Sequence, residues 1–265
     1  MLEAARARAR ARLATLRGAG ERLTQVDALT ARRILDEEMQ RAGAELAEDL
    51  ARRATDTVDT AGLTAGRLLV ELGAVDGLDD VTARRQAFEV GTAQRAALDL
   101  ALATAGLLVM PLHGLVSQGV TAAQLADAMT VGRGSAFQAQ ANRWRTMADV
   151  YIGRAHNDAL LAVAEDAEDR AERLGEALGL HKRDVELFDP RRNHPISRVL
   201  DGQVQPVRRL FRAPAADVAR WAVTLRKSAG GIFWRLQDGA YVGMTLPAHF
   251  GERGAVVPWL PAWNP

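Results

Sequence analysis

The chain changes texture once, and that change constrains its architecture more than any other feature. Up to about Leu174 it is built of helix-forming residues, with apolar side chains recurring every three or four positions. From Gly175–Gly179 onward, polar, turn-forming and basic residues crowd into short stretches without a helical period. Helices first and short mixed elements afterwards is the order of an α+β chain. The expected organisation is an elongated helical domain over residues 1–175 and a small α+β module over residues 176–265.

Residues 2 to 17 have helical composition and stop at Gly18-Ala19-Gly20. Arg6, Arg8, Arg10 and Arg12 spread around this helix, because alternation does not match a period of 3.6. They are candidates for phosphate contact, but a solvated or frayed terminal helix is the favoured reading. A long helix follows, capped by Asp27 or Thr30, with Leu35, Met39, Leu46, Leu50 and Val58 on one apolar stripe. Gly62 is expected to end it, with a short helical piece from Leu63 to Leu72. Asp79 or Asp80 then starts a helix that runs into the apolar segment Ala96–Leu112, where Pro111 is expected to break or kink it. That segment contains Asp99 and Pro111 and is short for a bilayer span, so it reads as a buried helix. Thr121 caps Ala122–Met129, and Gly132-Arg133-Gly134 is a turn. Ser135 opens the last long helix, with Phe137, Ala141, Trp144, Ala148, Tyr151, Ala155, Ala159 and Ala162 on a narrow stripe whose small residues permit close packing.

Beyond the texture change, Leu180–Phe188 reads as a strand with Val185 and Leu187 on one face. Asp201-Gly202 has the composition of a tight turn between two extended pieces. Pro214–Lys227 is expected to be helical, with Pro214 in the first turn. Ile232–Tyr241 has the pattern of a hairpin around Asp238-Gly239, and the proline-rich tail from Pro247 reads as loop or edge.

Chemistry is sparse in this sequence. A formal net charge of +1 excludes polyanion binding by bulk charge, leaving only local basic patches. The absence of cysteine excludes disulfides and thiolate metal sites. No apolar stretch follows the N-terminal arginines, so a secretory leader is not expected. Asp189, His194, Asp201 and His249 are the groups from which a metal site or an acid–base pair could be assembled. Their spacing matches no catalytic or metal motif, and turn-stabilising roles are the favoured reading. Arg191, Arg192, Arg198, Arg208, Arg209, Arg212 and Arg253 make the C-terminal part locally basic, which suits phosphates, an acidic protein surface or plain solvation. No cofactor is expected.

Four pieces of the C-terminal part carry a resemblance: Asp189-Pro190-Arg191, His194-Pro195-Ile196-Ser197, Leu200-Asp201-Gly202-Gln203-Val204-Gln205-Pro206, and Leu246-Pro247-Ala248-His249 with Arg253. The helical stretch Arg154–Leu161 adds a fifth. Together, over about residues 140 to 260, they resemble the phage Mu F-like minor head protein family, also called phage head morphogenesis proteins. Where many members carry cysteines, this chain has His194 and Ser197 and no cysteine near Arg253. The resemblance therefore implies the module's fold and a place in a virion, not a ligand set.

On that resemblance the protein is expected to be a minor structural component of a tailed-phage head, with the portal protein or inner capsid proteins as partners. It would act in head assembly, DNA packaging or DNA delivery, touching packaged DNA weakly through Arg6, Arg8, Arg10, Arg12, Arg191, Arg192, Arg208 and Arg209. Its expected location is the head interior or portal region, and the host cytoplasm during assembly, with no membrane partner. The competing readings are a metal-dependent nuclease or hydrolase using His194, Asp201 and His249, and a DNA-binding module.

Overall fold

A computed structural model describes residues 1–18, 20–71, 83–132, 135–185, 195–214, 234–243 and 254–260. Five helices come first: α1 (Leu2–Ala14), α2 (Gln25–Glu71), α3 (Ala83–Ser117), α4 (Ala122–Thr130) and α5 (Ala136–Arg173). Shorter elements follow: β1 (His181–Val185), α6 (Pro195–Leu200), β2 (Val204–Pro206), β3 (Phe211–Pro214), β4 (Trp234–Gln237), β5 (Ala240–Gly243) and β6 (Ala255–Trp259). The fold is α+β, with helices in the N-terminal part and small antiparallel sheets in the C-terminal part.

Two compact units result. One comprises Met1–Arg52 with Gly91–Thr146, the other Arg53–Val90 with Met147–Pro265. The division falls inside α2, α3 and α5 and not at the texture change near Gly175. Packing accounts for it. Ala54, Val58, Ala61, Ala65 and Leu69 of α2 share one core with Ala155, Ala159, Val163 and Ala167 of α5, and with Leu180 and Val207 from the C-terminal part. Elements that bury a common apolar surface stay together wherever composition shifts.

In the first unit, α1 is neither solvated nor frayed. Ala5, Ala9 and Leu13, spaced four apart, are fully buried, and the helix packs against α4. The start of α2 is set by Thr24, whose backbone N–H and hydroxyl donate to the Asp27 carboxylate at 2.7 and 2.6 Å. Asp27 is thus a first-turn residue reaching back, as in half a capping box, and not the cap itself. Gly62 does not end α2, because the stripe continues through Ala61, Ala65 and Leu69. Burial of those side chains outweighs the roughly 1 kcal/mol cost of a glycine in a helix. Likewise α3 runs through Pro111 to Ser117. Thr121 caps α4 in a complete capping box with Gln124. Ser135 accepts from the Gln138 N–H at 3.2 Å at the start of α5. Where α2 meets α3, Gly43 permits the approach: a Cβ there would lie 2.5 Å from the Ala101 methyl. Trp144 of α5 donates its indole N–H to the buried Thr104 hydroxyl of α3 at 2.8 Å.

In the second unit, β1 is the middle strand of an antiparallel sheet in the order β2-β1-β6, and β5 is the middle strand of another in the order β3-β5-β4. The β4–β5 hairpin turns at Asp238 (φ 47°) and Gly239 (φ 70°), the left-handed pair that a two-residue hairpin requires. Pro258 lies on the edge strand β6, where a missing N–H is tolerated.

Three expectations change here. The buried face of β1 carries Lys182 and Asp184, while Val185 is 38% exposed, so period two was the correct signal but hydrophobicity pointed to the wrong side. Asp201-Gly202 follows a helix, α6, and not an extended piece; six residues are too few to display a helical period. Pro214 closes β3 and does not open a helix. The starts proposed at Asp79 or Asp80, the residues Leu187–His194, the helix after Pro214 and the stretch Pro247–Arg253 lie outside the described residues.

Candidate functional site

The residues that carry the resemblance, where described, lie in the second unit, on α5 and on the α6–β2 segment. Asn157 projects from α5 and is 2% exposed. Its Oδ1 accepts from the Val256 N–H at 2.8 Å, and its Nδ2 donates to the carbonyls of Gly254 at 3.3 Å and Gly153 at 3.0 Å. The side-chain amide therefore engages the start of β6 as a neighbouring peptide group would. Beside it, Arg154 pairs with Asp158 at 2.6 Å, both largely buried. Burial also holds the His156 imidazole below its usual pKa. Further along α5, the Glu168 carboxylate accepts from the N–H groups of Gly179 and Leu180 at 3.2 and 3.1 Å, fixing the chain as it enters β1.

Lys182 in β1 is fully buried, with its ammonium 5.0 Å from the centroid of the Phe211 ring on β3. Burial lowers its pKa to about 8, opposed by Glu165 and Asp158 and reinforced by Arg154. Asp184, on the same face, is also fully buried. Its N–H donates to the Gln203 carbonyl at 3.0 Å, and its carbonyl accepts from the Gly202 N–H at 2.9 Å.

The Leu-Asp-Gly piece is thereby placed. Leu200 is buried, and the Asp201 N–H closes the last turn of α6 on the Ser197 carbonyl at 2.9 Å. Gly202, at φ 76°, takes the left-handed conformation that directs the chain into β2. These three residues join α6 to the β1–β2 pair. Asp201 is exposed at this turn, and His194 and His249, its proposed co-ligands, lie outside the described residues. So do Asp189, Arg191, Arg192, Pro247 and Arg253. Among the described residues, no group of three or more His, Asp or Glu side chains is placed to hold a metal.

Of the arginines proposed for phosphate contact, the four of α1 and Arg208 are engaged within the chain. Arg8 reaches Glu38 at 2.6 Å and Glu45 at 3.3 Å, and Arg12 reaches Glu37 at 2.5 Å and Glu38 at 2.9 Å. Arg10 pairs with Asp127 at 2.8 Å and Arg6 with Glu3 at 2.6 Å. Neighbouring carboxylates raise the pKa of Arg8 and Arg12. Hydrogen bonds from both guanidinium groups outweigh the burial of Glu38 and hold its carboxyl below the usual range. Arg6 and Arg10 also line a cavity of about 560 Å³ with Glu3, Thr130 and Gly132. In the C-terminal part, Arg208 is bonded to Asp169 and, at 2.9 Å, to Glu172, while Arg209 is exposed.

The apolar segment of α3, expected to be a buried helix, is buried on one side only: Leu100, Leu108 and Leu112 face inward, while Leu98, Leu102, Leu107 and Met110 are 46%, 60%, 48% and 78% exposed. Apart from Asp99, Ala97–Ser117 holds no Asp, Glu, Lys or Arg, and by length and composition it is apolar enough to cross a membrane. The signal was legible as apolarity all round the helix, which one packed face could not consume. Gly106 and Gly114 leave open space where a Cβ would stand. No family model, curated protein or solved structure matches the chain.

Proposed function

We propose that the chain is a minor structural protein of a tailed-phage head, associated with the portal or inner capsid, acting in head morphogenesis, DNA packaging or DNA delivery. The observation that carries this reading is the exposed apolar side of α3, formed by Leu98, Leu102, Leu107 and Met110. Contiguous exposed apolar surface on a helix marks a place where another macromolecule docks. The C-terminal resemblance supplies the partner, a portal or connector helix. It also supplies the setting, a virion head assembled in the host cytoplasm. The internal pairing of Arg6, Arg8, Arg10, Arg12 and Arg208 supports protein docking over DNA binding, since a guanidinium already paired adds little attraction for phosphate. Turnover chemistry is not part of the proposal.

Co-purification with a portal ring tests it. Leu102→Glu with Met110→Glu should abolish association while the melting temperature stays near that of the parent. Retained association, or metal-dependent DNA cleavage by the purified protein, would overturn the proposal. The length and apolarity of Ala97–Ser117 favour one second reading, insertion into a bilayer. Flotation of the protein with liposomes, lost in the same variant, would establish that reading instead.

A further inference from the structure

Successive residues of a strand point to opposite sides of a sheet, so a lysine on β1 can normally reach water from one of them. Lys182 lies wholly inside. Its strand is the middle one of its sheet, opposite Gln205 of β2 and Pro258 of β6, neither of which is charged. Phe211 of β3 covers the ammonium from the second sheet. From α5 it feels Glu165 and Asp158 as opposite charges and Arg154 as a like charge, and Arg154 is itself bonded to Asp158. Asp184, two residues along β1, shares the buried face. The charged groups acting on it from α5 thus include two carboxylates and one guanidinium, with the Asp184 carboxylate on the same face of β1.

A buried ammonium loses its hydration, and neighbouring carboxylates return only part of that loss. An aliphatic side chain of similar length would carry no such cost. We propose that Lys182 is a built-in release point, at which β1 and β3 separate from α5 more readily than the rest of the second unit opens, because the separation rehydrates the ammonium. Local opening of this kind gives a folded unit a preferred place to yield, distinct from its global unfolding.

The sign of the proton linkage follows from the pKa of Lys182, lowered from 10.5 to about 8 in the folded unit. Below about pH 8 both closed and open forms are protonated, and the cost of the closed form is constant. Between about 8 and 10.5 only the open form holds the proton, so the closed form gains stability as pH rises.

The chain contains no cysteine, so a single introduced thiol reports local opening. Val207→Cys places one in the core shared with α5, and Val242→Cys provides a second reporter in β5; the parent residues are 2% and 1% exposed. Labelling rates would be measured on the full chain from about pH 7.5 to about pH 10, each divided by the rate for the same cysteine in the urea-unfolded chain. With Lys182 in place, the normalised rate should fall about tenfold or more over that range. In the Lys182→Met background it should be lower at about pH 7.5 and flat with pH. A flat profile with lysine present, an equal fall with methionine, or a methionine variant that labels as fast as the parent or fails to fold would each overturn the proposal.

Discussion

In the first unit a charged network lies at the periphery, where Arg8 and Arg12, 30% and 39% exposed, grip the buried Glu38 between α1 and α2. In the second, Lys182 and Asp184 are wholly enclosed and Asn157 is nearly so. Both arrangements use polar residues to orient elements around an apolar core, but their costs differ. A guanidinium at the rim keeps part of its hydration, so the Arg8–Glu38–Arg12 cluster sacrifices mainly the solvation of one carboxylate. An enclosed ammonium sacrifices all of its own. The comparison shows that a basic residue cannot be assigned to nucleic acid from its type: the alternating arginines of α1 pair with carboxylates of the same chain, and the lysine of β1 turns inward to a ring.

The largest effect should come from breaking the peripheral cluster. Glu38→Leu removes the carboxylate that both guanidinium groups share, leaving Arg8 only Glu45 and Arg12 only Glu37, and should cost about 2–4 kcal/mol in urea unfolding. Removing all three charges together, with Arg8→Met and Arg12→Met, should cost less than the single change. If Glu38→Leu unfolds like the parent, the rim cluster does not orient α1. In the second unit, Asn157→Leu strips the buried Val256 N–H of its acceptor and should cost about 2–3 kcal/mol. Hydrogen exchange at that amide should accelerate in the variant; unchanged protection would mean that β6 is held by β1 alone.

Glycine provides a smaller contrast within the first unit. Gly43→Ala forces a methyl against Ala101 and should destabilise by about 1–3 kcal/mol. Gly106→Ala meets open space and should stabilise by roughly 0.5–1 kcal/mol. Equal effects at the two sites in thermal melts would contradict the close approach of α2 and α3.

The smallest effect concerns acid. The folded pKa of His156 is lowered, so its contribution to the second unit begins to fall as pH drops through the unfolded imidazole value of about 6.5. Glu38, also lowered, supports the first unit above the unfolded carboxyl value of about 4.3 and loses that support as pH falls through its folded value. A His156→Gln variant should remove the earlier decline and leave the later one. Loss of both, or of neither, would show that the two units do not titrate separately.

Much of the helical architecture could be read from periodicity. The stripe from Leu35 to Val58 is buried, Thr121 and Ser135 start α4 and α5 as expected, and the Asp238-Gly239 hairpin forms where its turn residues stand. Helix ends are less legible: Gly62 and Pro111 both carry stop signals, yet α2 and α3 run through them, and at Gly62 the buried stripe on either side supplies the reason. Of the candidate site, Leu200-Asp201-Gly202 was rightly placed at a turn, but its helical side was too short to show a period. Lys182 could not be recognised as an interior residue, because a long aliphatic stem and a neighbour's ring can bury a charge that hydropathy assigns to water.

By itself, then, the sequence determined the local conformations: caps, turn residues and apolar repeats act over three or four positions and need no distant partner. Which face of β1 turns inward, which carboxylates the arginines of α1 meet, and which side of α3 stays bare were decided only in the tertiary structure. Each depends on groups such as Glu38, Phe211 and Leu100 that chain folding brings to one place, and no local rule specifies that meeting.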